Sequence, residues 1–280
     1  MLGAIVINGP STANYDEDLG PMTISDWYYQ TVAARSYLNA RVPGRAITMA
    51  DNGLINGTMV SKDGKSGAYG VTRIKRGKRY RLRLINVSSD NSFMVSLDGH
   101  PFEVITADLV PVKPVTRNWI FLGIGQRHDV IITANQTGGS WWFRAEAPDS
   151  CGTNANNGNI KSIFRYENAT SALPNSTATS YTRQCAADYP LMPFWDSFVP
   201  AEPLIAAGQL SSSIQIGVRA DSRQPLVQWG INFSAISVNW EKPVVQTVLQ
   251  NPQAEFPRMQ NLIRMPDAGN VSLAVVTWTL

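Results

Sequence analysis

Period-two alternation over residues 78–111 constrains this chain more than any other feature. Three runs alternate there: Arg79–Asn86, Phe93–Leu97 and Phe102–Ala107. In the first, Tyr80, Leu82 and Leu84 point one way, with Asn86 next in the series, while Arg79, Arg81, Arg83 and Ile85 point the other. Successive strand residues face opposite sides of a sheet, so the pattern predicts strands with one wet and one dry face. Asp98-Gly99, between the second and third runs, predicts a two-residue hairpin, because both central residues of such a turn need positive φ. The expected centre is an antiparallel β meander whose arginines line a solvated face.

The flanking sequence repeats this grammar. Short β-rich runs at 3–10, 21–29, 71–74, 119–123, 129–133, 140–145 and 160–166 are separated by turn residues, including Asn52-Gly53 and Asn56-Gly57. Residues 11–20, with Asp16, Glu17 and Asp18, read as a solvated acidic linker, and 31–40 as one short helix. Residues 168–182 are low in complexity and read as a linker, and 185–204 show no period. From residue 211 a second β region begins, with strands expected at 213–218, 226–231, 244–249, 261–265 and 273–280. A sandwich normally uses about seven strands. The fold class predicted is all-β, a Greek-key β-sandwich, one complete domain followed by an incomplete second one.

Composition narrows the function classes. The 280 residues suit two domains, and 44% hydrophobic with 16% charged residues can bury a core. Net charge is +3, but the one dense basic cluster, residues 73–83, alternates along a strand, so no nucleic-acid surface is indicated. No apolar run approaches the ~20 residues of a membrane span. Residues 1–5 lack the basic start and apolar stretch of a signal peptide. Seven Asn-x-Ser/Thr sequons, at Asn56, Asn86, Asn135, Asn168, Asn175, Asn232 and Asn270, nonetheless fit a secreted glycoprotein. Cys151 and Cys185 flank a polar stretch and make one disulfide for an oxidising compartment. Closing about 34 residues stabilises by roughly 3–4 kcal/mol on chain-entropy grounds. A secretory body without a secretory start leads to the expectation that residue 1 is not the native N-terminus.

Several segments together resemble the three-domain multicopper oxidases of the fungal, ascomycete-type laccase family. They are Ile7-Asn8-Gly9-Pro10, Ile24-Ser25-Asp26-Trp27-Tyr28-Tyr29, Leu54-Ile55-Asn56-Gly57, Arg79–Asn86, residues 96–100 and Ala107-Asp108. Residues 123–129 (GIGQRHD), 140–144 (SWWFR) and 239–245 (NWEKPVV) continue the match, which is collinear over nearly the whole chain. The resemblance implies cupredoxin-like sandwiches. Residues 1–20 would be the end of a missing first domain with its linker, 21–167 the second domain, 168–204 a glycosylated linker and 205–280 an incomplete third domain. It also implies a secreted parent enzyme that oxidises phenolic donors one electron at a time and reduces O2 to water, with copper as cofactor.

That chemistry needs a blue site of two His and a Cys, and a His-built trinuclear site, drawn from the first and third domains. The chain has two His in all, His100 beside the expected hairpin and His128 in a strand, and both read as structural. No metal ligand is therefore expected here, no copper is expected to bind, and the truncated chain is expected to be inactive alone. The missing first- and third-domain segments are its expected partners.

One functional residue survives by resemblance. Asp90 aligns with the acidic residue that lines the laccase phenol pocket and accepts the donor's hydroxyl proton. A phenol that loses an electron becomes strongly acidic, so a nearby carboxylate lowers the barrier. The alternative is an ordinary turn aspartate capping backbone N–H groups. Trp229 matches a pocket-wall aromatic, with core packing equally open. Val227 stands where the family carries a larger side chain, and Ser150 where an apolar one is usual. The rival reading is a non-catalytic secreted glycosylated β-sandwich with a structural or binding role.

Overall fold

The computed structural model of the chain describes residues 3–31, 49–148, 151–187, 189–196, 214–219, 226–231 and 241–250. Described residues up to 196 belong to one unit and those from 214 onward to a second. The first unit is built from β1 (Glu17–Trp27), β2 (Asn52–Ile55), β3 (Val71–Ile74), β4 (Arg79–Asn86), β5 (Phe93–Leu97), β6 (Phe102–Ala107), β7 (Val110–Arg117), β8 (Trp119–Leu122), β9 (Arg127–Thr133), β10 (Ser140–Glu146) and β11 (Lys161–Tyr166). One sheet runs β2-β1-β4-β9-β6-β7 and the other β3-β11-β10-β5-β8. Their facing sides form a Greek-key sandwich core around Phe93, Phe102, Phe143 and Phe164, all fully buried.

The three alternating runs are strands with the expected bounds, but they are not a meander. β4 and β6 lie in one sheet and β5 in the other, so the chain crosses the sandwich twice in succession. The turn at Asp98-Gly99 is an arch between sheets. His100 N–H donates to Leu97 O at 3.0 Å, and of the two turn residues only Gly99 has positive φ, +69°. Asn56-Gly57 does make the tight two-residue turn, with φ +48° and +75°, whereas Asn52-Gly53 lies inside β2. Residues 3–10 form no strand.

The arginine face also departs from expectation. Tyr80, Leu82 and Leu84 enter the core as predicted, yet Arg81 and Arg83 are only 4% and 8% exposed. Arg81 Nε donates to Asp129 Oδ2 at 3.0 Å, Arg83 Nη1 donates to the same oxygen at 3.3 Å, and Arg83 Nη2 donates to Asp18 at 2.6 Å. The chain preceding β1 folds back over this surface. The Tyr15 ring centroid lies 5.5 Å from the Arg81 guanidinium, and Ile5, Ile7 and Pro10 line a cavity with both arginines. The acidic trio is exposed but is docked rather than a free linker. Asp16 accepts the Arg79 N–H at 2.7 Å, Glu17 pairs with Lys78, and Glu17 and Asp18 already belong to β1. β1 runs parallel to β4, with a bulge between Asp18 and Pro21.

Two segments read as linkers are docked parts of the unit. Ser176 Oγ donates to Asp98 Oδ2 at 2.7 Å, and Arg144 donates to the same carboxylate at 2.8 and 2.9 Å and to Ser176 O at 3.1 Å. Trp119 Nε1–H donates to Thr179 O at 2.7 Å and its ring stacks on Tyr181. Further on, Lys113 N–H donates to Met192 O and Phe194 N–H to Pro111 O, both at 2.9 Å. Residues 192–194 thus cover the open edge of β7. β7 itself, unpredicted because of Pro111 and Pro114, is the outermost strand of its sheet, where proline disturbs least.

In the second unit β12 (Ile214–Arg219) pairs antiparallel with β13 (Leu226–Ile231), Ile214 opposite Ile231. The strand expected at 244–249 is instead a helix, α1 (Val244–Gln250). Pro243 stands just before it, where a fixed φ suits the first turn and the absent N–H is not needed. The expectations at 32–40, 261–265 and 273–280 lie outside the described residues.

Removing one member of a buried ion pair leaves an uncompensated charge and costs about 3–5 kcal/mol. Asp129→Ala strands the buried Arg81 guanidinium, while Arg83 keeps Asp18, so urea unfolding is expected to show a loss in that range. Glu103→Ala, which frees only the half-exposed Arg79, is expected to cost less than about 1 kcal/mol.

Candidate donor-side site

Residues 88–91 connect β4 to β5 at one end of the sandwich, and Asn86 anchors the start of that connection. Its Nδ2 donates to Asn91 O at 3.0 Å and to Leu122 O at 2.9 Å, and its Oδ1 accepts the Ser88 N–H at 3.0 Å. Asn86 is 0% exposed. The glycan expected there is therefore corrected: a carbohydrate on this nitrogen has no room in the folded chain. The sequon residues Asn56, Asn135, Asn168 and Asn175 are exposed, while Asn232 and Asn270 lie outside the described residues.

Asp26, on β1, holds the loop from below. Its carboxylate accepts the N–H of Ser89 at 3.0 Å, of Asp90 at 2.7 Å and of Asn91 at 3.0 Å. In return, Asp26 N–H donates to Ser88 Oγ at 3.0 Å. Residues 151–157 hold it from the other side. Ser92 N–H donates to Cys151 O at 3.1 Å, Asn154 Nδ2 donates to Asn91 Oδ1 at 3.0 Å, and Asn156 and Asn52 close the network behind them. Cys151 is disulfide-bonded to Cys185, as expected from the sequence. Gly152 has φ +91°, and a Cβ there would lie 2.4 Å from Asn91 Nδ2 and 3.0 Å from Asp90 Oδ2. Glycine at this position lets the Asp90 carboxyl lie against the backbone.

Asp90 is thus half-buried on a loop fixed from both sides. Burial, and secondarily the charge of Asp26, raise its proton affinity above that of an ordinary aspartate. A carboxylate in that condition is a better proton acceptor than one in water. Among the described residues, the loop N–H groups of Ser89, Asp90 and Asn91 are capped by Asp26. Asp26 carried no sequence signal for this, because its partners lie more than 60 positions away.

Of the other expected site residues, two belong to the second unit. Val227 and Trp229 stand on β13, in ladder positions opposite Val218 and Ile216. Ser150 lies outside the described residues. Two cavities open elsewhere on the first unit, one lined by the arginine face and residues 5–10, the other by Lys75, Arg76, Gly138 and Gly139.

Neither histidine is presented as a metal ligand among the described residues. His100 is buried, with Nδ1 2.8 Å from Asp98 O and Nε2 2.8 Å from the Tyr166 hydroxyl. A carbonyl only accepts, so Nδ1 carries the proton and Nε2 takes the Tyr166 O–H. His128 is buried beside Thr106 O at 3.2 Å. Burial lowers the pKa of both rings. Among the described residues, no three His, Cys, Asp or Glu side chains cluster as metal ligands. No helix among them is long and apolar enough to cross a membrane.

A family profile described as Multicopper oxidase matches residues 18–169. Laccase-3 of Botryotinia fuckeliana is 57% identical over 272 residues, covering 96% of this chain and 59% of the relative. The laccase of Neurospora crassa is 37% identical over 268 residues, covering 95% of this chain and 41% of that one. Among solved structures, the crystal structure of the laccase from Botrytis aclada matches with a TM-score of 0.72 at 31% identity, covering 91% of this chain and 46% of its own. The chain therefore spans from about two-fifths to three-fifths of the length of these relatives.

Gly152→Ala is expected to lower the unfolding free energy by more than about 1 kcal/mol, since alanine meets both a positive φ and the Asp90 loop. Gly125→Ala, at φ +77° with open space around it, isolates the backbone contribution. Equal losses for the two variants would show that the loop does not press on Gly152.

Proposed function

The chain belongs to the multicopper oxidase family, and from that premise we propose that it supplies the second domain and the opening part of the third in a laccase-type oxidase. The reaction proposed for the complete enzyme is one-electron oxidation of phenolic donors coupled to reduction of O2 to water. The domain bounds proposed are 21–167 and 205–280. The observation that carries the reading is the presentation of Asp90, a carboxylate of raised proton affinity on a loop tied to β1 and to the 151–157 segment.

The share of the reaction assigned to this chain is the proton. When a phenol gives up an electron, its O–H bond breaks and the proton passes to an Asp90 carboxylate oxygen. The phenoxyl radical then leaves neutral, and the electron goes to the enzyme's one-electron acceptor. Because the described residues offer no copper ligand set, no electron-transfer step is assigned to them, and the copper of the complete enzyme is assigned to other segments. Ser150, Val227 and Trp229 are proposed as further donor contacts on the strength of the resemblance. Secretion is proposed as well, supported by the disulfide and the four exposed sequon asparagines.

Two measurements test this. The deglycosylated native protein from its source is expected to have a mass well above that of 280 residues and to contain copper; a copper-free protein of this length alone refutes the oxidase reading. In the copper-loaded enzyme, Asp90→Asn is expected to lower kcat/KM for a phenol relative to a donor that loses no proton by about 10–100-fold, the usual scale for losing a general base. Equal loss for both donors removes Asp90 from the chemistry.

A further inference from the structure

We propose that Asp26 is the positioning residue of the donor-side site, fixing through the N–H groups of Ser89, Asp90 and Asn91 the backbone from which Asp90 meets a phenolic donor. The inference rests on the donor-side reading of Asp90 and adds the group that gives that side chain its place.

Three successive backbone N–H groups converge on one carboxylate, the shortest at 2.7 Å and belonging to Asp90 itself. Asp26 is 7% exposed and pairs with no basic side chain among the described residues; its hydrogen bonds run to the loop and, at 3.4 Å, from the Tyr28 hydroxyl. A buried carboxylate without a cation survives only when donors satisfy it, and here the donors are the loop. The dependence is mutual: the loop amides have no ladder partner to replace Asp26, because β4 and β5 separate into different sheets here. An uncharged side chain of the same shape would hold the loop less tightly, since a charged acceptor makes the stronger bonds. Asp26 also acts at a distance. Among the described residues it is the charge that acts on the Asp90 carboxyl. One side chain therefore sets where Asp90 lies and adds, second to burial, to how tightly it takes a proton.

The test uses the copper-loaded enzyme and its Asp26→Asn variant. Asparagine keeps the shape and one acceptor oxygen but loses the charge. Amide hydrogen exchange at Ser89, Asp90 and Asn91 is expected to quicken at least tenfold, while exchange in β10 and β11 stays at the wild-type rate. The phenol-to-proton-free-donor ratio of kcat/KM is expected to fall roughly tenfold. The acid limb of phenol oxidation is expected to move to lower pH, because Asp90 without its charged neighbour ionises more readily. A purely structural Asp26 moves neither the donor ratio nor the acid limb, and that result overturns the inference. So does unchanged exchange at the three amides. If that variant does not fold, Asp26→Glu, which keeps the charge on a longer side chain, decides: quickened exchange at the three amides with a lowered donor ratio upholds the inference, and quickened exchange with an unchanged ratio overturns it. The donor-side reading fails separately, through an Asp90→Asn variant without donor selectivity.

Discussion

Crossing from sheet to sheet is the constraint on which this structure depends. β4, β5 and β6 are consecutive, yet they alternate between the two sheets. Each crossing turns a connection into an arch at one end of the sandwich, where the backbone has no neighbouring strand to bond. Buried or half-buried N–H groups must still find partners. Asp26 meets that need at the first arch, and the Asp98 carboxylate with Arg144 and Ser176 stiffens the second. The proposed site residue Asp90 is a product of this geometry, since an arch carries a carboxyl out of the ladders while keeping it fixed.

The local periodicity of the sequence carried the strands but not their partners. Arg79–Asn86, Phe93–Leu97 and Phe102–Ala107 were legible because alternation is written within each run. Their sheet assignment was not, because it is decided by pairings such as Leu84 with His128 and Ser96 with Trp119. The dry arginine face was illegible for the same reason: its cover comes from Tyr15 and residues 5–10, and its counter-charges from Asp18 and Asp129. Val244, Val245 and Val248 favoured a strand by side-chain type, and Pro243 was the available sign of a helix start that outweighed them. Asp90 was readable only through collinear resemblance to a family. Asp26 stood inside one of the matching segments, and nothing in its neighbourhood told of its role.

Burial of charge and coverage of edges follow one economy here. The segment before β1 dries the Arg81–Arg83 face, residues 176–181 strap the outer side of the second sheet, and residues 192–194 cover β7. Each is docked by a few specific contacts, so side chains such as Ser176 and Tyr15 count for more than their size suggests.

The buried Asn86 has a consequence for biosynthesis. Asn86-Val87-Ser88 is a complete acceptor sequence, and in a secretory compartment the transferring enzyme meets the chain before it folds. Native structure hides the amide beneath Asn91 and Leu122. β4 must therefore close against its neighbours before a sugar arrives. A chain that loses this race carries a bulky group at the root of the Asp90 arch and cannot complete the sandwich. On the secretory route proposed above, the order of two events in time, not only the final energy, would decide how much of what is made becomes native.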